Sequence, residues 1–351
     1  MAEGQGAGGK GLLERLAEGP VICAEGYLFE CERRGYLQAG AFVPEVVLEH
    51  PEVVEHLHRE FVHAGSDVVE AFTYYGHREK LRVIGKEDLL EPLNREALKI
   101  ARKVARETGT LLAGDLSNTN MFVGDEASGR QVRAMFEEQA GWAVDEGVDF
   151  IVAETFSFAG EAEIALEVIK ETGLPSVITI AVHRPGKTLE DLTPEEACKR
   201  LEAAGADVVG LNCARGPKTM LPLLRKIRPE INAYLAALPV PYRTHDDQPT
   251  FQSLQDPEYD AFPDGRPFPI ALDPFTCNRY EIADFTREAA EIGVQYFGVC
   301  CGAGPHHIRA MAEALGRTPP ASRYSADMSK HAFLGTDAKV NKDYQEFARH
   351  L

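Results

Sequence analysis

Short, nearly continuous apolar runs alternate with longer segments whose apolar residues recur at helical spacing, and the alternation fills most of the chain. Val21-Ile22-Cys23-Ala24 predicts a first strand. Pro44 is placed to open a helix whose apolar face runs through Val54, Leu57, Phe61 and Val62 and stops at Ala64-Gly65. Val68, Val69, Ala71 and Phe72 give a second strand that runs into Thr73-Tyr74-Tyr75-Gly76. Ala97, Ile100, Ala101, Val104 and Ala105 form the stripe of a helix lying on a sheet, and Leu111 to Asp115 follow as strand three. A helix over 132–144 leads to strand four, Phe150 to Ala153, which ends in Glu154-Thr155-Phe156. Helix 161–172 feeds strand five, Ser176 to Val182. The next helix begins at Thr193-Pro194, where Thr193 is a natural N-cap and Glu196 can complete a capping box. Strand Val208 to Leu211, helix 218–227, strand Asn232 to Ala236, helix 280–292, strand Tyr296 to Val299 and helix Ile308 to Leu315 complete the series.

Strands this uniformly apolar are buried on both faces, as in parallel sheets covered by helices. Eight of them alternating with helices predict an α/β protein, a (β/α)8 TIM barrel. A doubly wound open sheet is the alternative, but no Gly-rich phosphate turn follows strand one. The stretch 239–279, rich in Pro, Asp and aromatics, shows no period and reads as a long surface excursion. The expected organisation is a flexible Gly-rich lead-in over 1–19, the barrel over 20–316, and a peripheral extension over 317–351 available for contacts in a homo-oligomer.

The chain has 351 residues and 44% hydrophobic composition, enough for one domain of this size, and a formal net charge of -18. That charge argues against nucleic acid and anionic membrane as partners and is compatible with small zwitterionic ligands. No apolar run approaches the roughly 20 residues that cross a bilayer. Seven cysteines without framework spacing, and no apolar leader, point to a reducing, cytoplasmic setting.

In barrels of this kind the chemistry sits at the C-terminal ends of the strands. Those ends carry Ala24-Glu25-Gly26, Thr73-Tyr74-Tyr75, Asp115, Glu154-Thr155-Phe156, His183, Asn212-Cys213 and Cys300-Cys301. A lone cysteine is usually a small buried hydrophobe, and Cys23, Cys31, Cys198 and Cys277 are read that way. Cys300 and Cys301 are different, because successive strand residues face opposite ways and only a strand end lets both serve one site. A disulfide between neighbours is strained, so ligation is the more natural use. Cys213, Cys300 and Cys301 thus suggest three thiolates around Zn2+ with one open position. Such a metal keeps an added thiol nucleophilic while driving its deprotonation below the ordinary pKa of about 8.5. This chemistry suits alkyl transfer to sulfur better than hydrolysis, where His and carboxylate ligands hold a water.

Gly210-Leu211-Asn212-Cys213 together with Gly298-Val299-Cys300-Cys301-Gly302 resembles the paired zinc signature of the homocysteine S-methyltransferase family. Glu32-Arg33-Arg34-Gly35-Tyr36, Glu49-His50-Pro51-Glu52, Phe72-Thr73-Tyr74-Tyr75 and Pro305-His306-His307-Ile308-Arg309 are similar to its betaine–homocysteine branch. The resemblance spans roughly residues 20–316. It implies a zinc-dependent methyltransferase barrel with Cys213, Cys300 and Cys301 as ligands, Glu154 holding the amino group of homocysteine, and Tyr75 near metal and donor. The partners it implies are a small thiol acceptor and an onium methyl donor such as glycine betaine. Cys213-Ala214-Arg215-Gly216-Pro217 also resembles the homocysteine domain of cobalamin-dependent methionine synthase, without its further modules.

A quaternary onium group has no proton to donate and is best held by aromatic faces, for which Tyr74, Tyr75, Phe42 and Phe156 are candidates. The competing reading makes these rings ordinary packing. Departures from the family pattern fall around both substrates. Ala24-Glu25-Gly26 stands where the family has an Asp-Gly-Gly turn, so Glu25 is one residue late; Thr155 replaces a tyrosine and Phe42 a tryptophan. Competing readings are the same zinc chemistry with another thiol or onium donor, a non-catalytic zinc-binding derivative, and a metal-free barrel lyase.

Overall fold

The expected strands form in the computed structural model of the chain, which describes residues 9–258, 265–341 and 344–350. They are β1 (Val21–Ala24), β2 (Val68–Glu70), β3 (Leu111–Ser117), β4 (Phe150–Phe156), β5 (Ser176–Ile180), β6 (Val208–Asn212), β7 (Tyr234–Leu238) and β8 (Val294–Val299). Neighbours pair in sequence order and β8 closes in parallel on β1, Val21 opposite Tyr296 and Ala24 opposite Val299. Closure makes this a (β/α)8 TIM barrel and eliminates the open sheet. Burial on both strand faces has the expected cause. Ile22, Val69, Ile151 and Phe297 join the helix stripes in an outer core, while Cys23, Val68, Phe150, Val152 and Tyr296 belong to a separate core inside the barrel. Leu12 and Leu16 extend that inner core from a helix, Leu12–Glu18, within the segment expected to be a flexible lead-in.

The structure shifts several boundaries, each for an identifiable reason. β7 starts at Tyr234 rather than Asn232, because the Asn232 and Ala233 N–H groups each donate to the Glu202 carboxylate at 2.6 Å instead of to the ladder. The helix expected from Pro44 is two helices, Val46–Glu49 and Pro51–Ala64, broken at His50, where φ is -143°. Proline pushes the preceding residue out of the helical region, so Pro51 starts a helix and ends the one before it. Thr193 and Glu196 form the predicted capping box, with the Thr193 N–H donating to Glu196 at 2.8 Å.

The 239–279 stretch is not a surface excursion. Tyr242, Phe251, Leu254, Leu272 and Cys277 are buried, and Tyr242 stacks on Phe251 at 5.9 Å. Its irregular backbone is tied to the turns after β6 and β8, the Phe251 N–H donating to Ala214 at 2.8 Å and the Cys300 N–H to Pro239 at 2.9 Å. Those bonds follow no period, which is why the pattern missed them. Residues 259–264 of this stretch, 1–8 of the expected leader, and 342, 343 and 351 of the extension lie outside the described residues. Arg317, at the start of the extension, donates to Asp67 at 2.5 Å and to the Pro20 carbonyl.

Candidate active site

β6 and β8 end in turns with unusual backbone, and those turns bring Cys213, Cys300 and Cys301 together. Cys213 and Ala214 are left-handed, with φ of 54° and 51°, and Gly302 has φ of 93°. A Cβ on Gly298 would meet the Cys23 carbonyl oxygen at 2.2 Å, and one on Gly302 would meet the Tyr242 hydroxyl at 2.2 Å. Glycine is therefore required beside the thiols for space at one position and for space and φ at the other. Tyr242 is itself held by Arg33, which donates to its hydroxyl at 2.7 Å and to the Gly302 carbonyl at 3.2 Å.

The Cys213 and Cys301 sulfurs are 4.0 Å apart, those of Cys300 and Cys301 3.9 Å apart, and all three lie within 4.8 Å of one another. A tetrahedral zinc with Zn–S bonds near 2.3 Å has sulfur–sulfur edges of about 3.8 Å, so these residues fit that ion. The thiols also compete for charge. Hydrogen bonds from Cys300 and Cys301 hold Cys213 well below the usual thiol range, and the same contacts push Cys300 and Cys301 up. A cation among them removes the conflict and lets all three be anionic.

Next to the sulfurs lies an acidic floor. Glu25, Glu154 and Cys300 bring ligand atoms within 4.8 Å of one another, as do Glu70, Asp115 and Glu154, and all are buried. Asn212 organises the first group: its side-chain amide donates to Glu154, to the Thr155 hydroxyl at 2.8 Å and to Glu25 at 3.5 Å. Its side-chain oxygen accepts the Thr155 N–H at 3.0 Å, which holds Thr155 at a left-handed φ of 65°. The Thr155 hydroxyl in turn donates to Glu154 at 3.0 Å. Burial, then the nearby charge of Cys213, raises Glu154 to about 8. Burial and the neighbouring carboxylates raise Glu25, Glu70 and Asp115 as well. Glu25 Oε1 and Asp115 Oδ1 have no hydrogen-bond partner among the described residues. A cationic amino group would supply both the charge and the donors that this floor lacks.

The aromatic residues divide. Tyr74 and Tyr75 pair at 4.3 Å, and Tyr75 sits at a left-handed φ of 60°. Burial and the adjacent Cys213 and Cys301 raise both phenols, which puts the pair beside the thiols. Phe156 is not at the rim: it is fully buried and packs edge-on against Phe136 at 5.9 Å, because β4 directs it outward to the helices. Phe42 packs on Phe29 at 5.7 Å and has no ring contact with Tyr74 or Tyr75 among the described residues. Phe72 is core packing beside Tyr27.

Glu25 joins the site although it comes one residue later than the family's acid, since β1 has ended and the chain is free to turn it inward. Asp115, placed among the strand ends, is buried in the floor. Asn212 was placed at the rim without a role, and Glu70 was missed; a carboxylate in the otherwise apolar strand Val68–Glu70 was the available signal for it. Cys23, read as structural, donates to Glu70 at 3.2 Å. His307 does capping work, its Nδ1 accepting the Gly304 N–H at 3.1 Å. His183 bonds to the Ser157 hydroxyl at 2.8 Å instead of approaching the thiols as a ligand.

A sequence model of the homocysteine S-methyltransferase family matches residues 26–315. Betaine–homocysteine S-methyltransferase 1 of Xenopus tropicalis is 36% identical over 96% of this chain and 85% of its own length. S-methylmethionine–homocysteine S-methyltransferase of Pongo abelii is 35% identical over 96% of this chain and 92% of its own length. Among solved structures, the metallated homocysteine methyltransferase MmuM of Escherichia coli shares the fold, with a TM-score of 0.66 at 16% identity over 85% of this chain and 98% of that one. With the thiol triad and barrel in place, these matches show that the chain is an enzyme belonging to the homocysteine S-methyltransferase family.

Proposed function

We propose that this enzyme moves a methyl group from an onium donor of the glycine betaine type to homocysteine, giving methionine, with zinc at Cys213, Cys300 and Cys301. The convergence of three sulfurs beside a buried acidic floor carries the reading. The names of the relatives pair homocysteine with two donors, betaine and S-methylmethionine, so the acceptor is common to them and the donor varies.

Bound zinc would supply the charge that deprotonates an acceptor thiol near neutral pH and leaves it nucleophilic. Glu154 and Glu25 hold the acceptor's ammonium group, and Asn212 keeps their carboxylates aimed. Thr155 acts on the substrate through Glu154 rather than touching the donor. Tyr74 and Tyr75 receive the onium methyl groups on their faces. The acceptor sulfur forms its bond to the methyl carbon as the carbon–nitrogen bond of the donor breaks in line, and dimethylglycine leaves with the electron pair. Holding both reactants in a closed, dry site supplies much of the acceleration.

The test is methyl transfer by zinc-loaded protein with glycine betaine and homocysteine, read by mass spectrometry. Methionine and dimethylglycine are expected in equal amounts, and neither from the Cys213→Ser variant. Retained zinc without transfer from a panel of onium donors to a panel of thiols would overturn catalysis in favour of a zinc-binding derivative. The setting is read as cytoplasmic, supported by seven free cysteines. A second copy of the chain as partner is supported by exposed Tyr324, Met328 and Leu334 on the extension, and sedimentation at two concentrations checks it.

A further inference from the structure

Lys80 lies in the short helix Arg78–Val83, which begins just after the strained turn carrying Tyr75. Its Nζ sits over the Tyr75 ring, 3.8 Å from the centroid. The chain holds 55 acidic residues, yet among the described residues no carboxylate pairs with this ammonium. Arg82, on the same helix, pairs with Glu79 at 2.7 Å. Lys80 is half-buried, and the loss of water lowers its pKa. Its charge is therefore met by the π face of a tyrosine and little else. Its backbone is anchored, the N–H donating to His77 Nδ1 at 3.5 Å, but its four-carbon stem can swing.

This arrangement bears on donor choice, given the reading above that Tyr75 contacts the donor. A ring with an ammonium at 3.8 Å and the Tyr74 ring at 4.3 Å is crowded before any ligand arrives. We propose that Lys80 is a built-in occupant of the onium subsite: its ammonium covers the Tyr75 face until a methylated cation displaces it, and the exchange sets the affinity a ligand must exceed to enter. A primary ammonium is strongly hydrated and regains full hydration when it swings out. A quaternary ammonium or tertiary sulfonium has no N–H to hydrate, so it loses little in water and gains most on the ring. Fully methylated cations therefore clear this threshold more readily than ordinary amines, which lose their own hydration on entering. After transfer the donor has become a tertiary amine without a permanent charge, and Lys80 reclaims the face as the product leaves.

Tetramethylammonium, which carries only the onium feature, is the probe, titrated calorimetrically into zinc-loaded protein. Replacing the ammonium in Lys80→Met is expected to tighten its binding by roughly three- to tenfold, the worth of one competing cation–π contact. Methylammonium, a primary amine, is expected to gain by the same factor from a weaker starting affinity, because one displaced occupant costs every ligand alike. Lys80→Gln serves the same comparison should Lys80→Met not fold. Equal or weaker tetramethylammonium binding in these variants, with binding lost in Tyr75→Ala, would make Lys80 a prop for the ring and overturn the inference alone. Binding indifferent to Tyr75→Ala would remove Tyr75 as the donor contact and take both readings with it.

Discussion

The thiol side of this site and the side proposed to bind substrates are built differently. The thiols hang from main-chain turns with almost no freedom, where a Cβ on Gly298 or Gly302 would lie 2.2 Å from a fixed oxygen. The substrate side is made of side chains resting on other side chains: Glu154 on Asn212 and Thr155, and Tyr75 under Lys80. Of the departures read in the sequence, Thr155 and the shifted acid Glu25 fall on this second side, whereas Phe42 packs on Phe29 away from the tyrosine pair. Backbone geometry can change only at the cost of the fold, whereas side-chain contacts can be exchanged singly.

The largest effect is expected on the thiol side. Cys213→Ser should lose zinc on dialysis, measured by atomic absorption, and methyl transfer with it, because serine is a far poorer zinc ligand than a thiolate. On the substrate side, pH should act through Glu154. Its folded value of about 8 lies above the ordinary 4.5, so its contribution to stability is complete below pH 4.5 and is lost as pH rises toward 8. In zinc-free protein this amounts to about 3 kcal/mol by pH 7, and Glu154→Gln should flatten that part of the pH dependence in denaturant melts. An unchanged slope would show that Glu154 stays ionised in the folded chain.

Smaller changes probe the turns and their supports. Gly302→Ala should cost about 2 kcal/mol by combining a left-handed φ with the Tyr242 contact. It should also weaken zinc binding about tenfold, the scale of a disturbed supporting contact. Full zinc affinity in this variant would mean that the thiol side is less rigid than its geometry implies. Asn212→Ala removes donors from Glu154 and Thr155 and should raise the acceptor KM roughly five- to tenfold, about 1 kcal/mol, with the donor KM unchanged. An equal rise for both substrates would erase the division between acceptor floor and donor face.

Much of the fold was legible because period and burial are local signals. Helical stripes and uniformly apolar strands place each residue against a sheet without knowledge of its partner, and Thr193 with Glu196 marked a helix start within four residues of chain. Apart from the helix break at Pro51, which is local, the misreadings share one cause, which is long-range satisfaction. Asn232 looks like strand until Glu202 takes its N–H, and 239–279 looks like surface until Phe251 and Tyr242 are seen to stack. Phe156 carried no local mark of facing the helices rather than the substrate.

The sequence by itself determined the β/α alternation and the three cysteines at strand ends, since both follow from residue type and spacing. The barrel order implied by that alternation also decided that Cys213 and Cys300 lie on the same rim. Only the tertiary structure decided that Asn212 bonds both Glu154 and Glu25, the latter 187 residues away in the chain, that Glu25 turns into the acidic floor, and that Lys80 covers Tyr75. Those contacts depend on side-chain direction where strands have ended and periodicity no longer constrains it. There a shift of one residue is absorbed by a turn, and the one-dimensional pattern holds no record of it.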